Sequence, residues 1–397
     1  MGNNLEERAD NRVCVAFSGG GTGGHIYPGL AVAAALQKEY PCRIFWIGSS
    51  KALDRSIVEE AGIEFFSIPA GKLRRNFSFR NFSDLFKVAL GFFAARKILK
   101  REKPALLFSK GGFVSVPPCA AAACLGVPVF THESDFSPGL ATRLNARFAA
   151  KGSGRIITAY AETARRFSKK IQDKICVLGN PVRAEFKSAD PQKGRAFLGA
   201  DKTERILLVL GGSQGARELN ELVASSIDGL TKNYLVVHQT GAGAMSAHLT
   251  AEDTEFHREK CQYKPYPYIK EELPHVLAAA ELVLARSGAG TVWECAAAGK
   301  PMILLPLAGS ATRGDQPENA HFFEKAGAAL VLPPGKREAA DLLEAVNMLA
   351  EDDGKREAMA AASARIGNTG GTGNIVRLLI DALKQGVQAE RNNGGEV

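Results

Sequence analysis

A chain of 397 residues with 45% apolar and 23% charged residues has an ordinary globular composition and is long enough for two domains, so disorder is expected only at its ends, including residues 1–10. The chain starts with polar and acidic residues, which argues against a secretory signal, and it has no run of about 18 apolar residues, which argues against a membrane span. Its seven cysteines are scattered without metal-ligand spacing, which argues against a structural metal. The formal charge of +8 favours an acidic partner, although its sign alone does not separate nucleic acid, phosphorylated substrates and anionic lipid.

The first half of the chain alternates short apolar runs with helical patterns. Strands are predicted at Val13–Phe17, Arg43–Ile47, Ala105–Phe108 and Pro128–Thr131, and helices at Pro28–Glu39, Leu53–Ala61 and Pro117–Leu125. This alternation is typical of βαβ units, in which helices cover both faces of a parallel sheet.

A second series of the same kind follows the proline- and charge-rich stretch Asn180–Glu204. Its predicted strands are Arg205–Leu210, Tyr234–His238, Leu282–Ala285 and Met302–Leu305, and its predicted helices are Ala216–Leu230 and Val292–Ala298. We therefore expect an α/β protein with two Rossmann-like, doubly wound parallel-sheet domains, residues 11–182 and 183–368, and a cleft between them at the carboxyl ends of the strands. Residues 369–397, with a periodic segment at Asn374–Gln388, are expected to form a helix and tail that pack back on the first domain.

A glycine loop, GGGTGGH at Gly19–His25, directly follows the first predicted strand. Its GxGxxG spacing lets the backbone approach a diphosphate, which the free N–H groups of the next helix start stabilise. A dinucleotide-binding dehydrogenase would place an acidic residue about 20 positions on, and Asp54 comes late for that role; a purely structural turn would need fewer glycines. His25 is either a proton acceptor for a hydroxyl or a hydrogen-bonded structural residue. Lys110–Pro118 forms another glycine turn after a strand.

The second domain repeats the glycine cradle at Gly211–Gly215, where Ser213 adds a hydroxyl that can donate to a phosphate. Further on, Arg286–Pro301 places small residues before a helix that is expected to begin near Gly290, with Glu294 in its first turn. A carboxylate there either complements the helix dipole or accepts two hydrogen bonds from a ribose diol.

Residues Gly71–Pro104, called the basic aromatic segment below, are unusual in composition. Ten Lys and Arg residues are interleaved with six Phe residues, and Asp84 and Glu102 are the only acids. Such a stretch suits the headgroup boundary of an anionic bilayer, where each nearby Lys or Arg contributes about 1 kcal/mol. Binding of single-stranded nucleic acid by stacking and a core helix with a solvated basic face are the alternatives. The residues expected at the membrane are Arg74, Arg75, Phe77, Phe79, Arg80, Phe82 and Phe86.

Seven motifs stand in order between Val13 and Arg377: GGGTGGHIYPGLAVA, KGGFVSVPP, THESDFSPGL, GNPVR, GGSQGAR, RSGAGTVWECAAAGKP and DQPENA. In this order they resemble those of one family, the undecaprenyl-diphospho-muramoylpentapeptide β-N-acetylglucosaminyltransferases of peptidoglycan synthesis, in glycosyltransferase family 28. The resemblance implies a GT-B fold and an inverting transfer of N-acetylglucosamine from UDP-GlcNAc to the 4-hydroxyl of the muramoyl residue of lipid I, which gives lipid II.

The resemblance also implies where the substrates bind. The second domain would hold UDP-GlcNAc, with Arg183 and Ser213 near its diphosphate and Ile269 near its uracil. Glu294 would bind the ribose and Gln316 the sugar hydroxyls, while the glycine loops of the first domain would hold the diphosphate of lipid I. The expected substrate-binding residues are Gly21, Thr22, Gly23, Gly24, Arg183, Ser213, Gln214, Ile269, Ala289, Gly290, Thr291, Glu294 and Gln316.

For catalysis, His25 is expected to take the proton of the muramoyl 4-hydroxyl. Some family members carry HEQN where this chain has HESD at His132–Asp135, so Glu133 and Asp135 are rivals for the role of base. Backbone N–H groups, a helix start and Arg183 would meet the departing diphosphate, and neither a metal nor a cofactor is expected.

The partners implied by the resemblance are UDP-GlcNAc, lipid I, an anionic membrane surface at the cytoplasmic face of the bacterial inner membrane, and proteins of a wall-building complex. Nucleic acid is not expected. The nearest alternative is another GT-B UDP-sugar transferase acting on a different lipid acceptor; a UDP-sugar epimerase and a nucleotide-sugar sensor without chemistry are more distant.

Overall fold

The computed structural model describes residues 12–71, 80–212, 215–241, 262–307, 315–334 and 337–393. The chain divides into two compact units: Met1–Arg183 together with Gly370–Val397, called unit 1, and Ala184–Thr369, called unit 2. Each unit has its own parallel sheet and its own buried apolar core.

Unit 1 is built on a seven-stranded sheet in the order β3-β2-β1-β4-β5-β6-β7, whose neighbouring strands are all parallel. Its strands are β1 (Val13–Ser18), β2 (Cys42–Ser49), β3 (Glu64–Ile68), β4 (Leu106–Ser109), β5 (Val129–Glu133), β6 (Arg155–Thr158) and β7 (Ile175–Val177). Its first helices are α1 (Gly23–Glu39), α2 (Ala52–Glu60), α3 (Arg80–Glu102), α4 (Val116–Cys124), α5 (Leu140–Ala149) and α6 (Ala161–Arg165).

Unit 2 has a six-stranded parallel sheet in the order β10-β9-β8-β11-β12-β13. Its strands are β8 (Ile206–Leu210), β9 (Leu235–Gln239), β10 (Tyr263–Tyr266), β11 (Leu282–Ala285), β12 (Met302–Leu304) and β13 (Ala329–Val331). Its described helices are α7 (Pro191–Leu198), α8 (Arg217–Leu230), α9 (Leu273–Ala279), α10 (Ala289–Ala297), α11 (Asp315–Lys325), α12 (Ala339–Glu351) and α13 (Asp353–Gly367).

The last helix, α14 (Gly371–Asn393), returns to unit 1 and packs on α1. Its residues Ile375, Leu379 and Leu383 are buried in the same apolar cluster as Leu36 of α1. The hydroxyl of Thr372, at the start of α14, also donates to the carbonyl of Val182 at 2.7 Å and accepts from its N–H at 3.0 Å.

The predicted fold class, two doubly wound parallel-sheet α/β domains, is confirmed. The central strands follow the predicted pattern because helices cover both faces of each sheet, so a run such as Ile206–Leu210 is buried throughout. Five strands were not predicted: β3, β6, β7, β10 and β13. They have only three to five residues, and four of them lie at sheet edges, where partial exposure weakens the apolar pattern.

One helix start was predicted wrongly. Pro28 suggested the first turn of a helix, but α1 begins at Gly23 and carries Pro28 in its interior. Proline removes a single i to i−4 hydrogen bond there, and the buried face of α1, which includes Ile26, Val32 and Leu36, stabilises the helix despite that loss. The consequence is that His25 lies in the first turn of α1.

The topology brings the glycine loops to the positions where doubly wound sheets bind ligands. In unit 1 the strand order reverses between β1 and β4, which the loops Gly19–Gly24 and Lys110–Phe113 follow. In unit 2 it reverses between β8 and β11, which the Gly211–Gly215 and Arg286–Gly288 loops follow. Ligands of such sheets bind in the crevice at this switch point, so each unit carries one candidate site.

Candidate active site

The two glycine loops of unit 1 meet beside the half-buried His25. A Cβ atom at Gly112 would lie 3.1 Å from Cδ2 of His25, and one at Gly111 would lie 3.9 Å from its Nδ1. The imidazole therefore lies directly against the second loop. Gly111 and Gly112 have φ angles of +85° and +79°, a region that side chains other than glycine rarely adopt, so glycine permits both the turn and the close approach.

The first loop is braced by the side chains of Trp46 in β2 and Asp54 in α2. The Asp54 carboxylate, which is buried, accepts the N–H of Gly21 at 2.8 Å and the hydroxyl of Ser49 at 2.5 Å. The indole Nε1 of Trp46 donates to the carbonyl of Gly19 at 2.9 Å. Because the loop itself occupies Asp54, this carboxylate is not placed to grip a ribose, which counts against the dinucleotide-binding interpretation.

Thr22, Gly23 and Gly24 lie at the start of α1. Thr22 is the N-cap, and Gly23 and Gly24 are the first helical residues, with Thr22 and Gly24 exposed to solvent. The first N–H groups of a helix have no acceptor within it and carry a partial positive charge, so an anion is favoured at this position.

Arg183 is the last residue of unit 1, whereas the sequence placed it at the start of the second domain. Its guanidinium lies over the ring of Tyr27 of α1, 5.5 Å from the ring centroid. Stacking of this kind orients a guanidinium while leaving its edge available for hydrogen bonds. Arg183 therefore lies close to the helix that carries His25.

Glu133 is the last residue of β5 and Asp135 lies in the loop that follows, and the surroundings of the two carboxylates differ. Glu133 is buried, and its carboxylate accepts the N–H of Asp135 at 3.1 Å and that of Gly139 at 2.9 Å. Burial, and then the charge of Asp135, raise the pKa of Glu133. Asp135 is only half-buried. Glu133 thus anchors the loop, and Asp135 is the more accessible of the two carboxylates.

A buried lysine that the sequence analysis did not assign to the site lies beneath this loop. The ammonium of Lys110 contacts Oγ of Ser134, which in turn donates to Oδ1 of Asn180 at 2.5 Å. All three side chains are buried. The signal that could have identified Lys110 is a lysine between a buried strand, Leu106–Ser109, and two glycines.

In unit 2 the glycine loop Gly211–Gly215 links β8 to α8; Ser213 and Gln214 lie outside the described residues. Gly212 and Gly215 have φ angles of +86° and +75°. A Cβ at Gly215 would lie 2.4 Å from the carbonyl oxygen of Thr240, so the loop packs tightly on the end of β9. No described residue comes within 4 Å of a Cβ at Gly212, so the described part of the chain leaves that peptide open.

Ala289, Gly290 and Thr291 form the first turn of α10, the second helix start that could hold a diphosphate. The expected position of Glu294 is corrected here: because α10 begins at Ala289, Glu294 lies in its second turn, not its first. The helix dipole acts mainly within the first turn, so the dipole explanation for this carboxylate is weakened and the ribose-binding one is favoured.

Gln316 is tied to the same end of the sheet. Its backbone carbonyl accepts the hydroxyl of Ser287 at 2.8 Å, and its side-chain Oε1 accepts the N–H of Leu307 at 2.8 Å. Ile269, on the other side of the switch point, is buried and donates its N–H to Oε1 of Gln239 at 3.0 Å. Of the described residues of unit 2 that were predicted to bind the donor, Ala289–Thr291 and Glu294 follow β11 and Gln316 follows β12. Ile269 follows β10 and is bonded to the last residue of β9.

A charged cluster behind this site was not predicted. The buried Arg286, directly after β11, donates to Oε2 of Glu218 at 3.0 Å and to the carbonyl of Leu305 at 3.3 Å. Arg337 donates to the other oxygen of Glu218 at 2.5 Å. Burial lowers the pKa of Arg286. The cluster links the loops after β11 and β12 to the first turn of α8 and so fixes the cradle geometry.

The described part of the basic aromatic segment is helix α3, whose two faces differ. One face is buried with Ala95 and Leu99. The other exposes Phe86 by 65%, Leu90 by 45% and Phe93 by 66%, residues that lie on one face at i, i+4 and i+7. The helix is therefore a core helix whose outer face is apolar as well as basic. Arg74, Arg75, Phe77 and Phe79 lie outside the described residues, as do the side chains of Arg80 and Phe82.

Among the helices that the structure describes, none is both long enough and apolar enough to cross a bilayer.

These features narrow the class of protein. A dehydrogenase would use the acid after β2 to bind a ribose, and here Asp54 is occupied by the glycine loop. Each sheet has, at its switch point, a helix N-terminus that favours an anion such as a diphosphate. Two such positions suit an enzyme that binds two diphosphates, as a nucleotide-sugar glycosyltransferase with a lipid-linked acceptor does. Models of the glycosyltransferase family 28 N-terminal and C-terminal domains match residues 15–152 and 206–372. The chain belongs to glycosyltransferase family 28.

Curated relatives are more specific. A UDP-N-acetylglucosamine–N-acetylmuramyl-(pentapeptide) pyrophosphoryl-undecaprenol N-acetylglucosamine transferase of Treponema denticola is 54% identical over 333 residues, which cover 80% of this chain and 83% of that protein. The protein of the same name from Treponema pallidum (strain Nichols) is 46% identical over 375 residues, covering 94% and 97%. The crystal structure of MurG from Acinetobacter baumannii superposes with a TM-score of 0.69 at 24% identity, covering 93% of this chain and 99% of that chain, which shows the shared fold.

Proposed function

We propose that this glycosyltransferase transfers N-acetylglucosamine from UDP-GlcNAc to the 4-hydroxyl of the muramoyl residue of lipid I, with inversion at the anomeric carbon, and so forms lipid II for peptidoglycan synthesis. The relatives at 54% and 46% identity bear the name of this activity. The single structural observation that carries the proposal is the presence of a glycine loop and an open helix start at the switch point of each sheet.

The donor is assigned to unit 2. The N–H groups at the start of α10 and the open peptide of Gly212 bind its diphosphate, and Glu294 accepts hydrogen bonds from the ribose diol. Ser213 and Gln214 stay predicted phosphate ligands, Ile269 a uracil contact and Gln316 a sugar contact. Charge that develops on the departing UDP is stabilised by these fixed dipoles, without reorganisation during the reaction.

The acceptor is assigned to unit 1. The glycine loop around Gly21–Gly24 and the start of α1 bind its diphosphate. Arg183 was expected at the donor diphosphate, but it belongs to unit 1 and stacks on Tyr27 of α1, so we reassign it to the acceptor as the nearby cation. His25 is our first candidate for the base, because its imidazole lies at the mouth of both loops. Asp135 is the second candidate, because Glu133 is engaged with backbone N–H groups.

The test is a turnover assay with purified protein, UDP-GlcNAc and a lipid I analogue, in which we expect a disaccharide product and release of UDP. UDP release without the acceptor, or an epimerised donor, would redirect the assignment to a hydrolase or an epimerase. The same assay with a diacylglycerol in place of lipid I tests the alternative lipid acceptor, because transfer to the diacylglycerol would favour that alternative over lipid I.

The choice of base is tested by His25→Ala and Asp135→Asn. We expect His25→Ala to lower kcat by about 100-fold or more, the range of general base catalysis, and Asp135→Asn to lower it less. Full turnover by His25→Ala would remove His25 from this role, and a larger loss in Asp135→Asn would transfer it to the carboxylate.

We further propose that the protein docks peripherally on the cytoplasmic face of the bacterial inner membrane through α3. The apolar face of Phe86, Leu90 and Phe93, flanked by exposed Lys87 and Lys97, has the chemistry of an interfacial helix on anionic lipid. Docking there would place the acceptor-binding unit at the surface that holds a lipid-linked substrate. Protein partners in a wall-building complex remain a prediction of the resemblance.

Vesicle flotation tests this docking. Wild-type protein is expected to bind vesicles that contain phosphatidylglycerol, and the double variant Phe86→Ser with Phe93→Ser to bind them much more weakly. Leu53→Ser is the matched control, because Leu53 of α2 is also in unit 1 and 59% exposed but lies outside the segment. An equal loss of vesicle binding in the double variant and in Leu53→Ser would contradict the proposal. Wild-type binding that salt does not weaken would contradict it as well.

A further inference from the structure

Lys110 is a buried cation that the roles assigned above leave unused. It directly follows β4, its N–H donates to the carbonyl of Ser18 at 2.8 Å, and its Cβ lies 3.3 Å from the Cβ position of Gly19. Its side chain is 2% exposed. A desolvated ammonium is costly unless opposite charge and hydrogen bonds compensate it. The groups around Lys110 therefore decide what it does.

The only hydrogen-bond acceptor of its ammonium among the described residues is Oγ of Ser134. Ser134 donates its own proton to Oδ1 of Asn180 at 2.5 Å, so it meets Lys110 as an acceptor. Ser134 stands between the two carboxylates of the segment, Glu133 and Asp135. Lys110 thus fixes the central residue of the loop that carries both candidate carboxylic bases.

The charges that face Lys110 come from β5 and the loop that follows it. Burial lowers the pKa of Lys110 to about 8, whereas the charges of Glu133 and Asp135 act to raise it. Burial, and next the charge of Lys110, hold the pKa of His132 well below its usual value. On the β1 side Lys110 meets Ser18 and Gly19, which carry no charge, and His25 lies beyond Gly111 and Gly112. At neutral pH the ammonium is therefore the buried positive charge set against the two carboxylates.

We propose that Lys110 is a positioning residue of the transferase, which holds Ser134 in place and provides the buried positive charge that balances Asp135 beside Glu133. The proposal rests on the proposed function for its catalytic consequence. Lys110 touches no reacting atom; it acts on the base through the loop and through its charge.

Lys110→Met removes the charge at nearly constant volume, and Lys300→Met is the matched control. Lys300 is a half-buried lysine whose pKa burial likewise lowers to about 8, but it donates to the carbonyls of Ala278 and Ala280, at 2.6 and 2.8 Å, in unit 2. Both variants lose an ammonium with a lowered pKa, and only the first loses one near the candidate bases.

In a pH profile of kcat/KM, we expect Lys110→Met to shift the acid limb to higher pH by about one unit, which lowers activity on that limb about tenfold. One unit is the smaller end of the pKa shift that a nearby opposite charge causes. The direction is the same for Asp135 or His25 as base, because removing a positive charge raises the pKa of a carboxyl and of an imidazole alike. Lys300→Met should leave the limb in place. An unmoved limb in a folded Lys110→Met protein, or an equal shift in both variants, would overturn the proposal.

Ser134→Ala separates the charge from the hydrogen bond, because it keeps the ammonium and removes its partner. We expect a lower kcat with the acid limb unmoved. This variant also keeps the proposal testable if Lys110→Met does not fold. A limb that moves with Ser134→Ala would show that the positive charge is not the cause.

A second measurement needs no substrate and so separates this inference from the proposed function. Denaturant unfolding of wild type, Lys110→Met, Asp135→Asn and the double variant forms a double-mutant cycle. We expect Lys110→Met to be less destabilising in the Asp135→Asn background, since the carboxylate it leaves unbalanced is then absent. Additive losses would refute the charge pairing, whatever reaction the enzyme catalyses.

Discussion

Replacing Gly112 by alanine is expected to displace the peptide of Gly20 and the ring of His25 at once. A Cβ at this position would lie 2.6 Å from the carbonyl oxygen of Gly20 and 3.1 Å from Cδ2 of His25. The first contact is with backbone, which cannot rotate away as a long side chain can. The alanine must therefore move one glycine loop relative to the other, and the imidazole with it.

The magnitude follows from a comparison with Gly126, a second glycine of unit 1. Gly126 has φ +75°, close to the +79° of Gly112, but no atom of the described residues lies within 4 Å of its Cβ position. Gly126→Ala should therefore cost only the left-handed backbone, about 1–2 kcal/mol of unfolding free energy. Gly112→Ala adds overpacking of about 1–3 kcal/mol. A displacement of about 1 Å in a catalytic group lowers turnover by up to roughly 100-fold, so Gly112→Ala should lose about 10- to 100-fold in kcat/KM.

Urea unfolding and the lipid I analogue assay measure the two effects separately. We expect Gly126→Ala to keep wild-type kcat/KM despite its lower stability, and Gly112→Ala to lose both activity and more stability. If the two variants were equally stable and equally active, the close approach of the second loop to His25 would be refuted. A Gly126→Ala protein with the same activity loss would show that backbone strain alone, wherever it lies, explains the result.

Three further outcomes are expected. Asp54→Ala leaves the N–H of Gly21 and the hydroxyl of Ser49 without their acceptor, and it should lower the free energy of unfolding in urea by about 2–5 kcal/mol. A loss under about 1 kcal/mol would contradict the bracing role of Asp54. Glu294→Gln should raise KM for UDP-GlcNAc about tenfold, because it weakens a hydrogen bond to a charged group, and should not change KM for the lipid I analogue. Steady-state kinetics with each substrate varied measure both values, and an unchanged KM for UDP-GlcNAc would contradict the assignment of Glu294 to the donor. His238 is buried between Tyr263 and Asn220, and burial lowers its pKa from 6.5 to about 4. Between these pH values the unfolded chain binds more protons than the folded protein, so the free energy of unfolding falls as the pH drops from 6.5 to about 4. The loss reaches about 2 kcal/mol at pH 5, and unfolding of His238→Gln against pH should show a shallower slope than wild type.

Much of the fold could be predicted because the central strands are apolar on both faces. Leu282–Ala285 is buried throughout and was predicted with its observed bounds. The short outer strands escaped prediction for the opposite reason; Tyr263–Tyr266, for example, is only partly buried and contains a proline. The start of α1 escaped because a proline usually marks the first turn, whereas here packing against the sheet overrides that preference.

Within the candidate sites, motif and spacing predicted glycine loops and helix starts that the structure places after strands at the switch points. They did not identify the groups that turn inward. A sequence shows that Lys110 follows a strand but not that its ammonium ends on Ser134, and it shows Arg286 within a motif but not its contact with Glu218. Side-chain direction and desolvation depend on neighbours that come from distant parts of the chain, as with Asn180, which lies 46 residues from Ser134.

These inward groups have a common physical role. Asp54, Lys110 and Arg286 are each buried and charged, and each hydrogen-bonds to a loop that follows a strand at the carboxyl edge of a sheet. Desolvating a charge is costly, and in each case the cost falls on the free protein, before any substrate arrives. Under the proposed function, these contacts fix the loops beside the substrate sites before the reaction begins. Preorganised groups stabilise developing charge without reorganising, so we infer that these buried charges serve catalysis through the loops they hold.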